Sequence, residues 1–256
     1  MPASYLLTRR DFVRVGVAAT VTPYLVGCGT SPVIPQGDPL LSARPGDPSQ
    51  SGELGSITEL RLGGARDGFY YIPSTWDGAA ALPLVVTLHG AGQDALFWHS
   101  YVARAEARGF TLLSLDSRYA TWDLVIGAYG PDVTFMNEAL TFLFDRVRVN
   151  AAKLALVGFS DGASYSLSLG RINGDLFSHV VGYSPGFADL ASAKHGNPPV
   201  YISHGNADTI LPFSYTKNTI VPGLEQDGHD VTFQEFDGGH QVPAVVSEAM
   251  LDWFFG

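Results

Sequence analysis

The stretch that most narrows what this chain can fold into is residues 153–172. An apolar run over 153–159 closes on Gly158-Phe159-Ser160-Asp161-Gly162, and a stretch of helical character follows at once, to about residue 172. A buried strand that turns into a helix within two residues needs small side chains around the turn, because neighbouring backbone segments pass there at close range. The turn holds its middle residue in a strained conformation, with the side chain standing free at the sheet edge. Strands that run directly into helices imply a sheet of mostly parallel strands, since parallel neighbours need a crossover between them.

The rest of the chain fits that sheet. Residues 57–62 and 69–72 read as a short antiparallel pair around the Gly63-Gly64 and Asp67-Gly68 turns. Residues 84–88, Leu-Val-Val-Thr-Leu, form a near-continuous apolar run of the kind covered on both faces. A helix is predicted around 96–108 and a strand over 110–115. Met136, Leu140, Leu143, Phe144 and Val147 recur at helical spacing within the next stretch, 133–147. Further strands are predicted at 179–183, 200–203 and 231–236, with helices at 214–227 and 243–255. The expectation is one α/β domain over 56–256: a mostly parallel central sheet, helices on both faces, no large cap domain and an open site.

The first 55 residues stand apart from it. Arg9-Arg10 precede an apolar run from Val15 to Val26, which is too short to cross a bilayer comfortably. This is the layout of an export signal, and the paired arginines resemble a twin-arginine signal. The run ends in Leu25-Val26-Gly27-Cys28, which resembles a bacterial lipoprotein processing site. Residues 1–27 are therefore expected to be an export signal and Cys28 the lipidated residue, placing the protein at the periplasmic or cell surface on a lipid anchor. Cys28 is the only cysteine, so neither an intramolecular disulfide nor a cysteine-based zinc site can form. Five prolines fall between Pro32 and Pro48 among Gly, Ser and Asp, so 28–55 reads as a linker with a reach of roughly 30 Å. The 46% hydrophobic content supports a substantial core, and the net charge of −10 argues against nucleic acid or an anionic membrane face as the main partner.

The chemistry-bearing residues fall on predicted strand ends. Ser160 is the candidate nucleophile. A serine hydroxyl is weakly nucleophilic and needs a base oriented by a third group. Of seven histidines, His240 follows the last predicted strand on the loop Gly238-Gly239-His240. Asp208 follows a strand on a glycine-containing turn, which leaves room for one helix and one strand before His240. Asp237 reads as a turn-former and Asp189 as a weaker alternative acid. His204 reads as a loop brace and His229 as solvent-exposed. His89-Gly90-Ala91-Gly92 follows the strand at 84–88, where a glycine-rich loop can aim an amide at a developing oxyanion; the expected donors are the amides of Ala91 and Asp161. Trp98, Tyr119, Trp122 and Phe187 are candidate walls of the substrate pocket.

Taken together, Leu88-His89-Gly90-Ala91-Gly92, Gly158-Phe159-Ser160-Asp161-Gly162, Ser203-His204-Gly205-Asn206-Ala207-Asp208 and Gly238-Gly239-His240 resemble the phospholipase/carboxylesterase branch of the α/β-hydrolases. Its relatives include dienelactone hydrolases and polyhydroxybutyrate-depolymerase-like or feruloyl esterases. The resemblance covers about 84–255. It implies the α/β-hydrolase fold, a Ser160–Asp208–His240 triad and hydrolysis of small-molecule or polymeric esters through an acyl-enzyme, with no metal and no organic cofactor. Serine replaces the cysteine of true dienelactone hydrolases, which argues against that activity. Polyester depolymerase and feruloyl esterase remain alternatives within the fold, and a non-catalytic surface lipoprotein remains one outside enzymes.

Overall fold

The computed structural model describes residues 36–256. The expected export signal and Cys28 lie outside the described residues. An eight-stranded sheet dominates, made of β1 (Thr58–Glu59), β2 (Gly68–Tyr71), β3 (Leu82–Leu88), β4 (Thr111–Leu115), β5 (Val149–Phe159), β6 (His179–Tyr183), β7 (Val200–Gly205) and β8 (Val231–Phe236). Their order across the sheet is β1-β2-β4-β3-β5-β6-β7-β8. The pairs β1–β2 and β2–β4 are antiparallel, and every pair from β4 to β8 is parallel.

The helices are α1 (Tyr101–Arg108), α2 (Asp123–Ile126), α3 (Pro131–Phe144), α4 (Asp161–Ile172), α5 (Phe213–Tyr215), α6 (Val221–Gln226) and α7 (Ala244–Phe255). Two apolar cores lie on opposite faces of the sheet. One gathers α3 and α4 residues such as Met136, Leu140 and Leu167, and the other gathers Trp98, Tyr101, Met250 and Phe254. Strands β3 and β5 between them are buried on both faces over their second halves, which explains their uninterrupted apolar runs.

Two local differences from the sequence reading have clear causes. The helix expected at 96–108 is divided into a 3-10 turn, Ala95–Trp98, and α1. Asp94 caps the turn by accepting the Leu96 amide, and the turn closes at His99 before α1 begins. The helix expected at 214–227 is α5, a wide π turn at Thr216–Ile220, and α6. Pro222 lacks the amide a regular ladder would need, so the chain widens ahead of it.

Residues 38–50, expected to be linker, are instead seated on the domain. Leu41 and Ala43 are buried in the α3/α4 core. The Leu41 amide donates to Asn173 Oδ1 (2.8 Å), the Ser42 and Ala43 amides both donate to Asn137 Oδ1 (2.8 Å each), and Ser49 Oγ donates to Asp145 (2.6 Å). This proline-bearing strap has no periodicity because it is held by side chains of other elements, not by its own backbone ladder.

Candidate active site

The site stands at the carboxyl edge of the parallel strands. Ser160 links β5 to α4 with φ 57° and ψ −117°, a strained backbone for a residue with a side chain. Its amide donates to the Tyr183 carbonyl at 2.9 Å, which ties the turn to β6. The elbow requires its glycines. A Cβ on Gly158 would collide with the Gly162 carbonyl, and one on Gly162 would stand 2.5 Å from the His89 oxygen and nearer still to that of Leu88.

Three loops bring the triad together. His240 Nε2 lies 2.8 Å from Ser160 Oγ, and His240 Nδ1 lies 2.7 Å from Asp208 Oδ2. A carboxylate only accepts, so Nδ1 carries the proton and Nε2 presents its lone pair to the serine hydroxyl. The acid loop after β7 and the histidine loop after β8 are joined directly. The Ala207 amide donates to the Gly238 carbonyl (2.9 Å) and Asn206 Nδ2 to Asp237 Oδ1 (2.6 Å). Asp237 is thus a tie between loops. Asp189 accepts from the Ala191 amide and the Ser192 hydroxyl and braces its own loop.

The Asp208 side chain is fully buried, whereas His240 is 14% exposed. Burial alone would raise the Asp208 pKa, but the hydrogen bonds from His240 and the amides of Leu211 and Ile210 outweigh it and hold the carboxyl below its ordinary value. The Phe159 ring lies against His240 (4.8 Å between centroids), and Phe97 stacks on Phe159 at 5.0 Å.

The loop after β3, residues 89–92, is held from below. His89 is fully buried; its Nδ1 donates to the Gly90 carbonyl (2.7 Å) and its Nε2 accepts the Ser117 amide (3.1 Å). Burial lowers the His89 pKa, so the ring stays neutral in this arrangement. Holding the Gly90 carbonyl fixes the next peptide plane, and the Ala91 N–H points the opposite way because the peptide is trans. Trp122 Nε1 donates to the His89 carbonyl at 2.8 Å, and Thr121 Oγ1 donates to Asp161 Oδ2 at 2.6 Å. The amides of Ala91 and Asp161 carry no hydrogen bond among the described residues, while Gly90 and Gly92 donate to Gln93 Oε1 and the Ala120 carbonyl.

The expected pocket walls need correction. Trp98 is 2% exposed and packs edge-on against Tyr101, and Trp122 is wholly buried; both belong to core and bracing. Tyr119 and Phe187 are half-buried. Phe97, next to Trp98, stacks on Phe159, whose ring in turn lies against His240; the 3-10 phase of Ala95–Trp98, which sequence periodicity does not reveal, separates the two. His229 is buried, not exposed, with Nδ1 donating to the Pro198 carbonyl at 2.9 Å. Three cavities of 440, 450 and 350 Å³ include none of the residues Ser160, Asp208 and His240 in their linings.

No protein-family model matches the chain, and no curated protein does. Solved structures do. Esterase PE8 superposes with a TM-score of 0.61 at 19% identity, over 74% of this chain and 97% of that one. A Bacillus cereus carboxylesterase gives 0.55 at 19% identity, over 70% and 91%. An acetyl xylan esterase from Aspergillus awamori gives 0.58 at 16% identity, over 80% and 99%. At these identities the likeness speaks for architecture, and with the strand order above it establishes that this chain has the α/β-hydrolase fold.

Proposed function

We propose that the protein is a carboxylic ester hydrolase working through an acyl-enzyme on Ser160. The observation that carries this is the relay from Ser160 Oγ to His240 (2.8 Å) to Asp208 (2.7 Å) beside two unengaged amides. His240 takes the hydroxyl proton as Ser160 Oγ attacks the ester carbonyl, and Asp208 stabilises the imidazolium without accepting the proton. The amides of Ala91 and Asp161 receive the oxyanion. Collapse expels the alcohol, which takes its proton from His240. Water, deprotonated by His240, then attacks the acyl carbon, and Ser160 leaves with the acid product.

Large aliphatic side chains are exposed on segments that follow four strands at this edge: Leu96 in the 3-10 turn, Ile126 at the end of α2, Ile210 after β7 and Val245 in the first turn of α7. They suit an ester with an apolar acyl or alcohol part, small or polymeric, as in carboxylesterase-type chemistry. Esters borne on polysaccharide are a second reading. The neighbours include a ferulic acid esterase from Anaeromyces mucronatus, at a TM-score of 0.53 and 16% identity, besides the acetyl xylan esterase.

Hydrolysis of p-nitrophenyl esters from acetate to palmitate by the 29–256 chain, with Ser160→Ala alongside, tests the proposal. Activity abolished by the substitution supports it. Equal rates in both, or an inert folded wild type that takes no fluorophosphonate, would return weight to a non-catalytic surface protein. Export and lipidation at Cys28 belong to the same proposal, and mass spectrometry of the mature N-terminus checks them: an unmodified start elsewhere overturns the anchor.

A further inference from the structure

Asp208 holds more donors than its service to His240 requires. Its Oδ1 accepts the amides of Ile210 (2.8 Å) and Leu211 (3.0 Å). Its Oδ2, besides receiving His240 Nδ1, lies 3.0 Å from Nε2 of His204. The side chains of Asp208 and His204 are both fully buried. His204 Nε2 also lies 3.1 Å from the Leu211 carbonyl, so two acceptors flank it and it must carry a proton. On the other side of the ring, Nδ1 lies 2.9 Å from Thr216 Oγ1. Burial lowers the His204 pKa against the pull of Asp208. The Thr216 hydroxyl lies between Nδ1 and the Pro185 carbonyl (3.2 Å), and its single proton serves one of the two.

We propose that His204 is a positioning residue that, by sharing Asp208 Oδ2 with His240, sets the place of that oxygen and the negative charge it offers. The inference rests on the serine-hydrolase reading above. A carboxylate oxygen has two in-plane lone pairs. With one directed at His204 Nε2, the other is left for His240 Nδ1, and the two amides on Oδ1 stop the group from rotating. The shared donor also draws off part of the charge, so the imidazolium formed during attack is stabilised less than an undivided carboxylate would stabilise it. The ionisable groups acting on His204 are Asp208 and His240. The Phe213 ring lies edge-on at 5.9 Å, and the carbonyls of Leu211 and, beyond Thr216, Pro185 complete its surroundings. His240 is faced by Phe159, Ser160 and Asp208.

The test compares wild type, Ser160→Ala, His204→Phe, His204→Gln and Thr216→Val. It reads kcat and KM for p-nitrophenyl acetate from pH 5 to 9, with fluorophosphonate titration counting the competent sites. His204→Phe is expected to lower kcat by about 10- to 100-fold, through misorientation of the base, with KM within about twofold. Its acid limb should move up by about 0.5–1 pH unit, because Oδ2 then serves His240 alone. Glutamine, whose amide N–H can reach Oδ2, should restore part of both. A folded His204→Phe enzyme with wild-type kcat, or with an acid limb unmoved or shifted down, overturns the proposal. If that variant does not fold, Thr216→Val decides. It leaves the ring but removes the polar partner of Nδ1, and it should move the limb the same way by less; no movement overturns the proposal. An unlabelled wild type would instead remove the serine-hydrolase reading itself, a result distinct from a labelled wild type beside indifferent His204 variants.

Discussion

Replacing Gly162 with alanine adds one methyl group at the point where α4 crosses the oxyanion strand. The new Cβ would stand 2.5 Å from the His89 oxygen and closer to that of Leu88, against an ordinary carbon–oxygen contact of roughly 3.3 Å. Neither oxygen can yield cheaply, because both are backbone and His89 O is held by Trp122 Nε1 at 2.8 Å. The start of α4 must therefore move by most of an ångström, carrying the Asp161 amide and Ser160 Oγ with it. A displacement of that size at reacting groups costs on the order of 10²-fold in rate. Overpacking adds about 1–3 kcal/mol of destabilisation. The assay is kcat on p-nitrophenyl acetate, normalised to fluorophosphonate-reactive sites, with chemical denaturation in parallel. Wild-type kcat together with wild-type stability in Gly162→Ala would show that the elbow is not as tight as its carbonyl contacts require.

Three further outcomes are expected. Asp132 is fully buried, and burial with the nearby charge of Asp123 raises its pKa to about 7, so the folded state binds this proton more tightly than the unfolded state. Its contribution is most favourable below about pH 4 and is lost as pH rises toward 7. Asp132→Asn should remove that slope, changing the stability difference from wild type by about 2–3 kcal/mol between pH 5 and 7 in urea titrations; parallel curves would refute the assignment. Trp122→Phe leaves the His89 carbonyl without its donor and should cost about 1–3 kcal/mol, with kcat falling more than KM changes. Leu41→Ala should cost about 2–3 kcal/mol, measured by denaturation, because this strap residue is 3% exposed; a value near zero would return 38–50 to the status of linker.

The parallel strands and the triad could be read from the sequence for one reason: each announces itself locally. Leu84–Leu88 has no polar face to hide, so the run marks a strand covered on both sides, and the glycines at 158 and 162 mark the only turn that lets α4 cross β3. Ser160 follows β5 directly, Asp208 and His240 lie on the loops just after β7 and β8, and the parallel strand order carries all three to one edge. What escaped reading depends on partners far along the chain. The strap at 38–50 is held by Asn137, Asn173 and Asp145, about 95 to 130 residues away, and nothing in its own composition signals them. Trp98 and Phe97 are adjacent aromatics of equal appearance, and a single residue of helical phase sends one to the core and the other toward His240.

His229 and His204 show the same limit in sharper form. Both sit near the ends of β-strands, and local sequence favours exposure for one and loop support for the other. In the fold His229 is buried against the Pro198 carbonyl, and His204 shares Asp208 Oδ2 with His240. A histidine's role here follows from which acceptors two other loops bring to its ring nitrogens. For His89 these are the Gly90 carbonyl and the Ser117 amide, which make it the anchor of the oxyanion loop. Two buried histidines, His89 and His204, thus brace the loops around His240. The division of roles follows from place: of the three rings, only that of His240 lies partly open to water with a nitrogen 2.8 Å from Ser160 Oγ.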